Sequence, residues 1–137
     1  MTQQLTGLGK IGQIGVRVHD VERATAFYRD ILGIEHQFSV PGMSFFNCDG
    51  TILMLATPTS DDYDHPGSIL YFQVESISDQ HAALVEKGVE FLEAPHFIAN
   101  MGPQDLWMAF FHDSEDNVMA LRSLVPAGAT AFQSTND

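Results

Sequence analysis

Gln13 and Arg17 alternate with Ile14, Val16 and Val18 in "GQIGVRV", and Gln73 follows the same rhythm in "GSILYFQV". His96 stands in "APHFIANM", beside another apolar run. Each is a polar group set in a segment otherwise suited to half-burial. An arginine so placed can clamp a carboxylate or phosphate through two parallel N–H bonds, or simply pair with one of the chain's own carboxylates. Imidazole as a side-chain type exchanges protons near neutrality, so a histidine at this place can serve as a general acid or base, or close an ordinary hydrogen bond. Around these groups Phe45, Met54, Tyr71, Met101 and Trp107 offer flat or adaptable apolar surface, with core packing as the competing role. Trp107, in "DLWMAFF", also carries an N–H that needs a partner. Small-molecule sites are mostly apolar with a few placed polar groups, and this set has that make-up.

The elements that must position these residues are written twice. "VHDVERATAFY" (18–28) runs parallel to "VESISDQHAAL" (74–84), so that Val18 matches Val74 and Tyr28 matches Leu84. "LGIE" (32–35) then matches "KGVE" (87–90), and "FFNCDGTILML" (45–55) resembles "FFHDSEDNVMAL" (110–121). Asp20 and Ser76 are suited to cap helix starts, and Gly33 and Gly88 to end helices. Hairpin turns are expected at "CDG" and "DSEDN", and another turn at Pro41-Gly42. The pattern predicts strands near 11–18, 34–40, 43–48, 51–56, 68–74, 90–97, 105–111 and 117–123, with helices near 21–32 and 77–87.

Two strand–helix–strand–strand–strand copies make an α+β domain: two βαβββ modules forming a curled mixed β-sheet around a cleft. The domain is expected over 1–125, with modules at about 10–56 and 68–125, a polar linker between them and a flexible tail over 126–137. Strand alternation turns Ile14, Val16, Val18, Leu70, Phe72 and Val74 towards the helices. Gln13, Arg17, Ile69, Tyr71 and Gln73 then share the opposite, cleft-facing side.

Composition narrows the partners. The 137 residues carry a formal charge of −12, which repels phosphate backbones and argues against nucleic acid. An acidic surface suits solubility or a cationic ligand. No apolar run reaches membrane-spanning length, and the opening "MTQQLTGLGK" lacks the apolar core of a secretory signal. With the single cysteine, Cys48, this leads to the expectation of a cytoplasmic protein.

The repeated unit, with "VRVHDVERATAFYRDILGI" in its first copy, resembles the vicinal oxygen chelate superfamily over about residues 10–125. That superfamily includes glyoxalase I, extradiol dioxygenases, methylmalonyl-CoA epimerase, fosfomycin-resistance enzymes and bleomycin-binding proteins. The second half, with "GSILYFQV", "PHFIANM" and "LWMAFFHDSEDNVMAL", is similar to small glyoxalase-like proteins. The resemblance implies a homodimer and, in metal-dependent members, ligands at positions that here carry Gln13, Met54, Ile69 and Ala120. One amide with a thioether and two hydrocarbons is a poor donor set, so no metal and no cofactor are expected.

The expected function is therefore the binding of a small organic molecule in a metal-free cleft. The candidate residues are Gln13, Arg17, Phe45, Met54, Tyr71, Gln73 and Trp107. The alternatives are a lyase or isomerase of the glyoxalase I kind using one divalent metal ion at a site rebuilt from His65 and His96, a metal-free isomerase using His96 as the catalytic group, and an accessory protein with a vestigial cleft.

Overall fold

A computed structural model describes residues 7–129. In the first copy, β1 (Gln13–Arg17) leads to α1 (Val21–Ala26) and then to β2 (Glu35–Val40), β3 (Met43–Cys48) and β4 (Thr51–Ala56). In the second, β5 (Leu70–Gln73) leads to α2 (Ile77–Glu86), β6 (Phe91–Asn100), β7 (Gln104–His112) and β8 (Val118–Pro126). Each copy forms one four-stranded mixed sheet, ordered β1-β4-β3-β2 and β5-β8-β7-β6. The first strand of each module lies parallel to its last, and the other neighbours are antiparallel hairpins. The sheets are curled and unclosed, each with two free edges. This is the α+β pair of βαβββ units that the repeat predicts.

Local chemistry fixes the ends of the helices. The Asp20 side chain accepts from Arg23 N–H at 3.0 Å, and Ser76 Oγ accepts from Asp79 N–H at 3.3 Å. Gly33 and Gly88 sit at φ +74° and +92°, in the left-handed region that stops a helix cheaply. The helix expected over 21–32 differs in one respect. Beyond Ala26 it widens to a π turn over Phe27–Ile31, and Leu32 N–H donates to Phe27 C=O at 3.0 Å. Apolar spacing could not separate the two forms, because both turn Phe27 and Tyr28 inward.

β6 and β8 run past their expected ends at 97 and 123, to Asn100 and Pro126. Asn100 pairs with Asp105 and Gln104 with Pro126. The polar extension is held by Asn100 Nδ2, which donates to Asp105 Oδ1 at 2.9 Å. Pro126 thus belongs to β8 rather than to the expected tail, whose residues 130–137 lie outside the described residues. Within the linker, Asp61–Tyr63 forms a short 3-10 turn.

One apolar cluster spans both modules, joining Val16, Tyr28, Phe46 and Leu55 to Ile77, Leu84, Phe111 and Met119. A polar clasp then ties the β7–β8 turn to the first module. Tyr28 Oη donates to Asp113 Oδ2 at 2.6 Å, and Asn117 Nδ2 donates to the Arg17 carbonyl at 3.0 Å. Glu115, with a side chain 2% exposed, takes Arg23 Nε at 2.8 Å. It also accepts the backbone N–H groups of His19 and Asp20 at 3.0 and 3.1 Å. Burial alone would raise the Glu115 carboxyl, but Arg23, the two backbone donors and Ser114 together outweigh it and hold it below its ordinary value. No helix among the described residues is long and apolar enough to cross a membrane.

Candidate functional site

The faces follow from the register. Gly15 pairs with Met54 and Arg17 with Ala56, while Met54 pairs with Phe45 and Ala56 with Met43. These residues share the open face of the first sheet, opposite the helix-packed Val16, Leu53 and Leu55. On the second sheet Tyr71 pairs with Ala120 and Gln73 with Arg122, and Phe110 and Met108 continue the same rows. The single chain therefore divides the expected lining. Gln13, Arg17, Phe45 and Met54 lie on one sheet, and Tyr71, Gln73 and His96 on the other.

A cavity of about 530 Å³ opens on the first sheet. Its floor is Gly15, Arg17, Met54 and Ala56, with Met43 at one side. The linker supplies the rest, through Thr57, Pro58, Thr59, Tyr63, His65 and Gly67. A Cβ at Gly15 would meet Met54 Cε at 3.7 Å, an ordinary van der Waals contact, so the thioether lies directly against β1. Gln13 Nε2 approaches Met54 Sδ at 3.5 Å from the neighbouring position. Phe45 stacks on Phe38, with centroids 4.7 Å apart, further along the same face.

Arg17 enters this cavity with its charge already engaged. Its Nη1 donates to Asp64 Oδ1 at 3.2 Å, and His19 Nε2 donates to the same oxygen at 3.0 Å. The His19 bond is the first cause holding the Asp64 carboxyl below its ordinary value, and Arg17 adds to it against the cost of desolvation. Asp64 itself does not line the cavity, and no Asp or Glu does among the described residues.

The second sheet arranges its candidates differently. Tyr71 meets Phe110 edge-on at 6.0 Å and lines a second cavity, of about 390 Å³, with Ile14, Cys48 and Ile69. Gln73 is exposed and donates to the Val74 carbonyl at 3.3 Å. His96 Nδ1 lies 2.8 Å from the Ala94 carbonyl oxygen, and Nε2 lies 3.2 Å from Glu93 Oε1. Met101 is 54% exposed beyond the end of β6.

Trp107 lies on the face opposite to the one expected. It shares its side of β7 with the fully buried Ala109 and Phe111, packs against the core and meets Phe97 edge-on at 6.5 Å. Its indole Nε1 is buried without a hydrogen-bond partner. The physical reason is strand phase, since "DLWMAFF" is apolar at almost every position and its alternation names neither face.

The residues present do not fit the metal of the metal-dependent relatives. Gln13 offers one neutral amide, Met54 a thioether that divalent first-row ions bind weakly, and Ile69 and Ala120 offer no donor. Among the described residues no three His, Cys, Asp or Glu side chains gather where they could hold an ion. His65 lines the first sheet's cavity, whereas His96 lies on β6 at the outer edge of the second sheet.

The linker's contribution was missed by sequence reasoning. The available signal was Tyr63, a lone aromatic side chain in the polar "TSDDYDHPG".

Residues 10–101 match the family described as the Glyoxalase/Bleomycin resistance protein/Dioxygenase superfamily, and the chain belongs to it. A protein of Didymella fabae named "Glyoxylase-like domain-containing protein" is 29% identical over 121 residues, spanning 82% of this chain and 92% of its own length. Among solved structures, TnmS3, an antibiotic binding protein from Streptomyces sp. CB03234, has a TM-score of 0.70 at 24% identity, covering 90% of this chain and 100% of its own. An integron cassette protein from the mobile metagenome of V. cholerae has a TM-score of 0.71 at 18% identity, over 88% and 98% of the two chains. A lactoylglutathione lyase from Agrobacterium tumefaciens gives 0.66 at 18% identity, over 85% and 95%. At these identities the solved structures share a fold with this chain.

Proposed function

We propose that this chain is a binding protein that holds a small organic molecule in the cavity of its first sheet, without a metal ion. The observation that carries this reading is the lining itself. Met43, Met54, Pro58 and Tyr63 surround about 530 Å³ of space, within the usual range for small-molecule sites. Two flexible thioethers give a surface that adapts to a ligand's shape. The metal positions of metal-dependent relatives hold Gln13, Met54, Ile69 and Ala120, which favours binding over Lewis-acid chemistry in the same place. The antibiotic-binding activity named for TnmS3 is in keeping with this use of the fold.

The working form is a homodimer. Phe38, Val40, Met43 and Tyr71 leave between 38% and 51% of their surfaces exposed on the two open faces, and a second copy's sheet is the cover that suits them. A cytoplasmic setting is in keeping with a chain whose single cysteine, Cys48, has no second cysteine to pair with.

The test is titration with N-phenyl-1-naphthylamine, a neutral fluorophore that brightens in apolar surroundings. Saturable binding at one site per chain is expected. Ala56→Phe, which fills the cavity floor, should abolish it while leaving the thermal melt cooperative. If the wild type does not saturate, or if Ala56→Phe binds as the wild type does, the reading fails.

A further inference from the structure

We infer that the cavity selects an anionic amphipathic ligand, with Arg17 taking its carboxylate or sulfonate head and Asp64 acting as an internal stand-in that the ligand displaces. The inference rests on the binding function proposed above and names the ligand class. In a chain of net charge −12, the cavity is lined by Arg17 and His65 and by no Asp or Glu among the described residues. A cationic head would meet Arg17, so the acidic surface does not describe the site beneath it. A neutral ligand would leave the guanidinium with only its present partner.

That partner is weakly held. Among the described residues, the Arg17 guanidinium makes a single hydrogen bond, from Nη1 to one Asp64 oxygen at 3.2 Å. A guanidinium can offer an anion two parallel bonds, a shorter and stronger arrangement. The Asp64 side chain is 41% exposed, so solvent already screens the pair. Asp64 also has a second donor in His19 Nε2, at 3.0 Å, and need not be stranded when Arg17 changes partner. The exchange moves no covalent bond. One carboxylate leaves the guanidinium and the ligand's anion replaces it, while the linker stays tied through His19.

Met54 and Met43 lie on the same face as Arg17, one strand and two strands away from β1. A ring system can therefore rest on the thioethers with its anion at the guanidinium. Tyr63 and Pro58 face the ring from the linker side of the cavity.

The test compares N-phenyl-1-naphthylamine with 8-anilinonaphthalene-1-sulfonate, which adds a sulfonate to the same ring system. At about 0.15 M salt, wild type is expected to bind the sulfonate about tenfold more tightly than the neutral probe, the order of one charge-assisted hydrogen bond. Arg17→Gln should bring the ratio of the two dissociation constants to within about twofold of one. Asp64→Asn should raise the preference a further threefold or so, the order of one exposed ion pair. Asp62→Asn, which removes a carboxylate from the same turn without touching Arg17, should move the ratio by less than about twofold, and so separates displacement from general charge reduction. If neither probe saturates, the binding function itself falls. If both saturate but the neutral probe binds as tightly as the sulfonate, or if Arg17→Gln leaves the ratio unchanged, binding stands and the anion preference is overturned.

Discussion

Replacing Tyr28 by Phe removes one hydroxyl from the clasp between the modules and almost nothing else. That hydroxyl donates to Asp113 Oδ2 at 2.6 Å, and the two residues are 0% and 4% exposed. A hydrogen bond to a charged acceptor contributes about 1.5–3 kcal/mol. The lower end applies here, because the Asp113 carboxylate is not stranded by the change. Asn117 Nδ2 still reaches Oδ2 at 2.9 Å, and the N–H groups of Glu115 and Asn117 still reach Oδ1 at 2.8 Å. The ring keeps its place against Phe27 and Phe46, so no cavity forms beyond the lost oxygen. A loss of about 1.5 kcal/mol is expected, read in urea as a lower midpoint with an unchanged slope.

The same bond predicts an alkaline signature. Burial first, and then the Asp113 charge, raise the Tyr28 phenol well above 10.0. Such a group stabilises the fold fully below its unfolded value and loses that contribution as pH rises from there towards its folded value. Above about pH 10, wild-type stability should fall by up to about 1.4 kcal/mol per pH unit more steeply than that of Tyr28→Phe. A cost below about 0.5 kcal/mol would refute the clasp, as would parallel alkaline limbs in the two proteins.

The acid limb has the opposite sign. Glu115 and Asp64 have lowered folded values, so their stabilisation is present above the ordinary 4.5 and 3.8 and disappears as pH falls below them. Urea titrations between about pH 6 and 2.5 should show a loss that Glu115→Gln reduces. Trp107→Phe keeps an aromatic ring against the core and removes an unpartnered N–H. Its stability should match the wild type within about 1 kcal/mol, with unchanged affinity for the neutral probe; a tenfold loss of affinity would return Trp107 to the cleft. Sedimentation at micromolar concentration should give two chains per particle, and a monomer throughout would remove the proposed pairing.

Much of the fold was legible because the repeat aligns residues with identical tasks. Asp20 and Ser76 cap, Gly33 and Gly88 stop, and alternating apolar residues mark each module's first strand, Ile14, Val16 and Val18 in one and Leu70, Phe72 and Val74 in the other. The candidate site was legible only where one strand and its neighbour define it, as with Gln13, Arg17 and Met54. Long-range polar pairs leave no periodic trace. Tyr28 reads as one more member of an apolar stripe, and its repeat partner is Leu84, yet its hydroxyl finds Asp113 across 85 residues. "DSEDN" likewise reads as a hairpin turn, although its carboxylates tie the β7–β8 turn to the first module. Arg17 admitted two roles from sequence. The ion pair with Asp64 is the one the fold forms, and ligand capture is its proposed exchange.

The most direct measurement is the titration of chelator-treated protein with N-phenyl-1-naphthylamine, repeated after adding excess Ni²⁺, Zn²⁺ or Mn²⁺. Metal-free binding predicts one saturating site per chain in the treated protein, with the same dissociation constant after each ion is added. Saturation that appears only with an ion, together with stoichiometric uptake of that ion, would contradict it.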